Sequence, residues 1–200
     1  MNFFYVFEKL KHKGEVRHLG ELSKKFIYIG SDTINTDKSI HDYIKSKDYT
    51  NKSSDMVIHK INSYKYKYGI VELKDNYSCE EISDILNDFE QNEIVNFAHY
   101  TFQAENCIIG NGDILGSYCV ESYSSEFMVY LKSTSDESDL NDLLIETNTS
   151  IDEQIETGED IYIILIDKNS LGDALEMNNY FYESGLFEYI GLDIIKFAIE

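Results

Sequence analysis

Hydrophobic residues in the first half of the chain follow two kinds of pattern, which predict a mixture of strands and helices. Apolar and polar positions alternate in short runs where strands are expected, and apolar residues recur every three or four positions where helices are expected. Ser78 followed by Glu81 is typical of a capping box at a helix N-terminus. The predicted elements are a strand at 26–30, a helix at 37–49, strands at 56–61 and 64–74, a helix after Ser78 and a strand at 94–102.

The second half repeats the order β-α-β-β-α-β. Apolar residues follow Phe89 at distances of five, six and eight positions, and they follow Phe181 at the same distances. The repeat predicts an α+β fold of two tandem ferredoxin-like modules, each an antiparallel sheet of four strands with two helices on one face. The alternative is a common element order with coincidental spacing. The predicted elements are a strand at 127–131, a helix at 136–147, strands at 151–155 and 161–166, a helix from Leu171 or Gly172 and a strand from Phe187 towards Phe197.

Turn-forming residues predict the boundaries of these modules. Aromatic residues alternate ahead of Lys13-Gly14, which predicts an N-terminal β-hairpin over residues 3–19. Gly110, Gly112 and Gly116, followed by several serines, are typical of a linker. The predicted domains are residues 1–108 for the hairpin and first module, residues 109–124 for a Gly/Ser-containing linker, and residues 125–200 for the second module.

The composition indicates a globular and strongly acidic protein. An apolar share of 42% is enough for hydrophobic cores, and the net charge of -20 disfavours binding to a nucleic acid backbone. The same charge suits a basic or calcium-loaded protein partner. No apolar run approaches the roughly 18 residues of a membrane span, and the N-terminus lacks the basic region of a signal peptide. The chain is therefore expected to be cytoplasmic, or secreted if it is an excised prodomain.

The reactive residue types do not form a catalytic or metal-binding pattern. Cys79, Cys107 and Cys119 are an odd number without tight spacing, so we expect three plain thiols. No two histidines lie four positions apart on a predicted helix, and no serine lies in a Gly-x-Ser-x-Gly motif. The segment at 167–178 lacks the oxygen ligands of an EF-hand at its fifth and twelfth positions. We therefore predict no enzyme activity, no cofactor and no metal site, although an enzyme of another type stays open as a third hypothesis.

One segment resembles a known family. The sequence ALEMNNYFYESGLFEY at 174–189 is similar to part of the propeptide of subtilisin-like serine proteases from Bacteroides-type bacteria. Residues 126–133 (EFMVYLKS) resemble a strand of the same propeptides, and the likeness is looser in residues 13–29. The signature residues are Ala174, Leu175, Met177, Phe181, Tyr182, Glu183, Ser184, Gly185, Leu186 and Phe187.

The resemblance implies a ferredoxin-like fold that inhibits a protease or assists its folding, as an intramolecular chaperone does. It implies that the sheet face of residues 127–197 packs on the enzyme and that an extended tail lies in the substrate cleft. The family's Glu-Pro-Asp after the signature is replaced here by Ile190-Gly191-Leu192-Asp193, so a different exit from the sheet is expected. The protease-binding tail implied by the resemblance is Lys196, Phe197, Ala198, Ile199 and Glu200.

Two binding hypotheses therefore follow from the sequence. The first is a non-catalytic, propeptide-like protein that binds, inhibits or assists folding of a subtilisin-like serine protease. The alternative is a tandem ferredoxin-like protein-interaction or immunity-type module with a different protein partner. The alternative is favoured if the final residues are buried in the chain's own sheet, because a buried tail is not available to an enzyme cleft.

Overall fold

The computed structural model describes residues 10–12, 15–17, 19–54, 58–60, 66–108, 112–116, 118–156 and 160–199. It has the α+β class predicted from the sequence. The elements in chain order are β1 (Leu10–His12), β2 (Glu15–Arg17), β3 (Leu22–Asp32), α1 (Asp37–Ser46), β4 (His59–Lys60), β5 (Tyr66–Glu72), α2 (Cys79–Glu90), β6 (Phe97–Gln103), β7 (Cys119–Leu131), α3 (Glu137–Thr147), β8 (Ser150–Glu156), β9 (Asp160–Leu165), α4 (Ala174–Ser184) and β10 (Phe187–Ala198).

The chain packs into two compact units. Unit I contains the described residues of 21–122 and of 196–200, and unit II contains the described residues of 123–195 and those up to Gly20. The polypeptide passes from unit I to unit II within β7 and returns within β10. The final residues of the chain are therefore part of the unit formed by the first half of the sequence.

Unit I has the strand order β4-β5-β3-β6, and β3 pairs antiparallel with both β5 and β6. Thr36 caps α1 by accepting a hydrogen bond from the Ser39 amide, and the predicted capping box of Ser78 with Glu81 begins α2. Both helices pack on one face of the sheet, because their apolar stripes share one core with alternate residues of β3. The core residues include Ile27, Ile29, Ile40, Ile44, Val71, Ile82, Leu86 and Phe89.

Unit II has the strand order β8-β9-β7, and β10 pairs with β7. Asp136 and Asp173 form the capping boxes that begin α3 and α4. Gly185 ends α4 in the left-handed conformation, with φ of 74°, which glycine adopts without steric cost. Phe181 of α4 packs on Phe127 of β7 at a ring-centroid distance of 5.0 Å, which places α4 on that face of the sheet.

Some segments differ from their predicted form, and α1 ends at Ser46 instead of at residue 49. Every residue from Cys119 to Ser125 is buried in β7, although 109–124 was predicted as a linker. The serines and the glutamate of this segment prevented its prediction as a strand, because a buried strand is usually recognised by apolar residues. Ser122 is accommodated by donating a hydrogen bond to the Tyr100 carbonyl at 2.7 Å. The second helix of unit II begins at Ala174, two or three residues later than predicted.

The N-terminal segment is described only in part. Within the predicted hairpin of residues 3–19, β1 pairs antiparallel with β2, and Leu10 lies opposite Arg17. The proposed turn at Lys13-Gly14 lies outside the described residues. The strand β1 lies beside α4 in unit II, whereas the sequence interpretation grouped it with the first module.

Candidate functional site

The predicted protease-binding tail is incorporated into unit I. Lys196, Phe197 and Ala198 are the last residues of β10, Ile199 follows them, and Glu200 lies outside the described residues. The side chain of Phe197 is only 7% exposed. Its ring centroid lies 5.3 Å from that of Tyr28 and 6.1 Å from that of Tyr68. The largest apolar side chain of the tail is thus part of the chain's own packing.

Phe197 completes an aromatic cluster on the face of the unit I sheet that is turned away from the helices. Tyr28 lies between Ile27 and Ile29 on β3, so its side chain points to the opposite face from theirs. Aromatic side chains bury large areas, and tilted or edge-to-face pairs add to the stability of such a cluster. We call this surface the aromatic face; its residues are Tyr28, Tyr66, Tyr68, Phe97, His99 and Phe197.

A glycine makes room for this cluster. Gly30 lies directly opposite Phe97 in the pairing of β3 with β6. A Cβ atom at position 30 would come within 2.0 Å of the Phe97 ring, so a larger residue cannot fit without a shift. The ring of Phe97 also stacks on His99 at 4.6 Å. Burial raises the pKa of the Tyr68 hydroxyl, in agreement with an enclosed aromatic surface.

A disulfide joins Cys107 to Cys119, with a Cα–Cα distance of 5.6 Å. This corrects the expectation of three plain thiols; only Cys79 is a free thiol. The positions of the two cysteines along the sequence did not reveal this pairing, because it depends on how the chain between them folds back. We call residues 107–119 the stapled loop. A cross-link that closes a loop of this length stabilises a fold by roughly 2–3 kcal/mol.

The end of the last strand is bonded to the stapled loop. The ammonium group of Lys196 donates to the Asn106 carbonyl, the Asn106 side-chain oxygen and the Ile108 carbonyl, each at 3.1 Å. The Ile199 amide donates to the Tyr118 carbonyl, also at 3.1 Å. The structure therefore brings the predicted tail together with a loop that the sequence interpretation treated as a linker.

The stapled loop carries exposed apolar side chains. Ile108 is 48% exposed, Ile114 is 79% exposed and Tyr118 is 43% exposed. Ile108 and Ile114 form an antiparallel bridge, and the Leu115 amide donates to the Cys107 carbonyl at 2.6 Å. Several apolar side chains on one constrained loop are typical of a protein-binding surface, because their burial by a partner costs little conformational entropy.

The family-signature residues lie in unit II and are mainly structural. Asp173, just before the signature, caps α4 by accepting a hydrogen bond from the Glu176 amide, and Gly185 supplies the turn that ends the helix. Tyr182, Glu183 and Ser184 are exposed and Leu186 is half-buried. The buried signature residues are Ala174, Leu175, Met177, Phe181 and Phe187. The signature and the predicted tail thus belong to different units.

A pair of carboxylates at the start of α4 was not anticipated from the sequence. Tyr123 donates a hydrogen bond to Asp173 at 2.9 Å, and the Asp173 amide donates to Glu176 at 3.2 Å. Burial raises the pKa of both carboxyl groups, and the charge of Asp173 adds to the shift at Glu176. Because the capping box occupies these oxygens, the pair is explained by its role in starting the helix.

Two further searches covered the part of the chain that the structure describes. Among those residues, no group of three or more His, Cys, Asp or Glu side chains is placed to hold a metal ion. Within the same residues, no helix combines the length and the apolar character needed to span a bilayer.

Comparisons with known proteins place the chain in no family. No protein-family model and no curated protein matches the sequence. Among solved structures, a similar chain is the small subunit of acetolactate synthase from Thermotoga maritima, at 13% identity and a TM-score of 0.32. That alignment covers 88% of this chain and 97% of the other. Similarity this low carries no argument about function.

Proposed function

We propose that this protein is a non-catalytic protein-interaction module, built from two tandem ferredoxin-like units, that binds a partner protein through the stapled loop. Each half of the sequence has the order β-α-β-β-α-β. In each unit the first and third strands of that order are neighbours, with the second and fourth strands on the outside. This arrangement supports the ferredoxin-like interpretation.

The observation that carries the proposal is the exposure of Ile108, Ile114 and Tyr118 on a constrained loop. The disulfide cross-links the two ends of that loop, and Lys196 donates to the Ile108 carbonyl within it. Exposed apolar residues on a segment restrained by a disulfide and by hydrogen bonds favour association, since restrained residues lose less conformational freedom on binding. Nothing in this arrangement requires a reacting group, which supports a binding role.

The buried position of Phe197 favours this partner-binding role over insertion of the tail into an enzyme cleft. A tail that enters a cleft as an extended strand must expose its side chains to the enzyme's pockets. Here Phe197 packs on Tyr28 and the Ile199 amide is bonded to the loop. Withdrawal of the tail from unit I would break both contacts.

A subtilisin-like serine protease is the second candidate partner. This candidate rests on the resemblance of residues 174–189 inferred from the sequence, which no family model or curated protein matches. Tyr182 and Glu183 leave part of that segment exposed. In this candidate the protein inhibits the protease or assists its folding, and the tail at 196–200 contributes to the enzyme contact.

Site-specific photocrosslinking in the source cells tests the main proposal. A photoreactive residue at position 114 is expected to give a discrete adduct with a partner protein. The same residue at position 34, where Ile34 is 85% exposed in the same unit, is expected to give none. The adduct should disappear in the Cys107→Ser/Cys119→Ser variant. The captured protein, once purified, should bind the native chain at least ten-fold more tightly than the Ile114→Asp variant.

Equal adducts from positions 34 and 114, or no adduct from position 114, would overturn the main proposal. Inhibition kinetics with a purified subtilisin-class enzyme test the second candidate. If the tail enters the cleft, Ala198→Arg should abolish inhibition, while Ile34→Arg should leave it intact. Absence of inhibition by the native chain at micromolar excess would remove that candidate.

A further inference from the structure

The sheet of unit II has a second surface of a different kind. Phe127 and Val129 are buried, and Phe127 packs on Phe181 of α4, so the side chains of Met128 and Tyr130 point the other way. Tyr162 confirms the position of α3, because its hydroxyl donates to Glu137 at 3.1 Å from the same face as Ile164. We call the opposite surface the open face; its residues are Met128, Tyr130, Ile155, Ile161, Ile163 and Leu165.

These six side chains form a continuous strip across three strands. Met128 lies opposite Ile163 in the pairing of β7 with β9, and Tyr130 lies opposite Ile161. Ile155 lies opposite Ile161 on the other side, in the pairing of β8 with β9. All six are half-buried, whereas Phe127, Val129, Tyr162 and Ile164 on the helix side are buried. A half-exposed aliphatic and aromatic strip of this kind marks an interaction surface.

The part of the chain that carries the open face is strongly acidic, although many of its carboxylates lie on α3 and α4, on the helix side. Residues 123–195 contain 17 acidic residues and two lysines, which gives a net charge of -15. Glu153 is exposed and lies opposite Ile163 on β8, at one side of the strip. Glu188 is exposed on β10, at the other side of the strip. Because Phe187 before it faces the helices, Glu188 points to the opposite face. Lys132 donates a hydrogen bond to the Gly185 carbonyl at the end of α4, on the helix side.

We infer that the open face binds a basic amphipathic segment of a partner protein, with apolar side chains on the strip and Lys or Arg side chains beside Glu153 and Glu188. The inference rests on the proposed protein-binding role and adds a second surface with its own partner chemistry. Charge complementarity steers such a segment to the face and selects against acidic competitors. A second copy of the chain is disfavoured, because it would bring the same net charge of -15 to the contact.

Peptide binding to the full-length protein tests this inference. The probe is a 14-residue peptide of alternating Leu and Lys, compared with alternating Ser and Lys and with alternating Leu and Glu. The Leu/Lys peptide is expected to bind at least ten-fold more tightly than either control and to weaken as salt is raised. Met128→Ser/Ile163→Ser should weaken binding about ten-fold, and Glu153→Lys should weaken it less.

Ile145→Ser is the matched control, because Ile145 is 79% exposed on α3, on the helix side of the same unit. Equal binding of the Ser/Lys peptide, or an equal loss in Ile145→Ser, would overturn the inference. Sedimentation tests whether a second copy of the chain occupies the open face. A dimer of the native chain that Met128→Ser/Ile163→Ser converts to monomer would also overturn the inference. Ile114→Ser should not change peptide binding, so failure here is distinguishable from failure of the stapled-loop proposal.

Discussion

The two sheet faces that turn away from the helices show how one element order produces two different surfaces. In unit I this face is aromatic, and Tyr28, Tyr66 and Phe97 are at most 2% exposed. In unit II the equivalent face is mainly aliphatic and only partly buried, as Met128 and Ile163 show. The order β-α-β-β-α-β thus determines where a face lies. The side chains on that face, and what is packed against them, decide whether it is core or binding surface.

Large-to-small substitutions on the two faces should give the largest difference. Phe97→Ala should lower the free energy of unfolding by about 3–5 kcal/mol, since the ring is fully buried among Tyr28, Tyr66 and His99. Met128→Ala on the open face should cost about 1 kcal/mol, because its side chain is already partly in water. Urea unfolding of both variants measures this. Equal losses of unfolding free energy would mean that the two faces are equally buried and would contradict the comparison.

Removal of the disulfide should have the next largest effect on stability. Both of its cysteines lie in unit I. Cys107→Ser/Cys119→Ser should lower the free energy of unfolding by roughly 2–3 kcal/mol, because the unfolded chain regains the freedom of the loop. The control is Cys79→Ser, which removes an exposed free thiol and should be nearly neutral. Thermal unfolding with and without reductant should show the same loss in the native protein and none in the double variant.

Gly30→Ala should sharpen the account of the aromatic face. The added methyl would lie 2.0 Å from the Phe97 ring, so the ring must move, at a cost of about 1–3 kcal/mol. Gly116→Ala is the control in the same unit, because its added methyl meets no atom closer than 3.7 Å. If urea unfolding gives the same small change for both, the ring of Phe97 is not held against Gly30.

A smaller effect is expected in the pH dependence of stability, which Asp88 in unit I and Asp173 in unit II should change in opposite directions. In unit I, hydrogen bonds from Lys47 and Tyr49 hold the pKa of Asp88 below its ordinary 3.8. Its contribution to stability is therefore present above 3.8 and lost as pH falls through the lower folded-state pKa. In unit II, burial raises the pKa of Asp173 above 3.8, so its contribution is present below 3.8 and lost as pH rises through the raised value.

Carboxyl titration by NMR measures both pKa values directly. Asp88 is expected to titrate below 3.8 and Asp173 above it. Asp88→Asn should flatten the loss of stability in acid, and Asp173→Asn should remove the opposite trend. If the two carboxyl groups have the same pKa, the expected difference between their surroundings is contradicted.

Local patterns predicted much of the secondary structure. The capping box of Ser78 with Glu81 and the stripe of Ile82, Ile85 and Phe89 identify α2 because they depend on residues within a few positions of each other. The same holds for the stripe of α3 with Leu140 and Leu143. The start of β7 was missed, because its buried Ser122 and Glu121 do not carry the apolar signal of a strand.

The candidate site could be predicted only in part. The residues of the tail were singled out through a family resemblance, whose implied role in a protease cleft stays a prediction. The stapled loop was overlooked, because the pairing of Cys107 with Cys119 depends on how the loop folds back and not on the spacing alone. The open face follows from strand register, since Met128 and Ile163 are brought together only by the pairing of β7 with β9.

By itself the sequence determined the α+β class, the repeated order of elements, the capping box of α2 and the acidic charge, because these depend on composition and on neighbouring residues. Only the tertiary structure decided that Phe197 joins the aromatic face and that Lys196 bonds to the stapled loop across a separation of 88 residues. It also decided which sheet face is enclosed and which is half-exposed. Such features arise from contacts between distant segments, and periodicity along the chain carries no information about which distant segments meet.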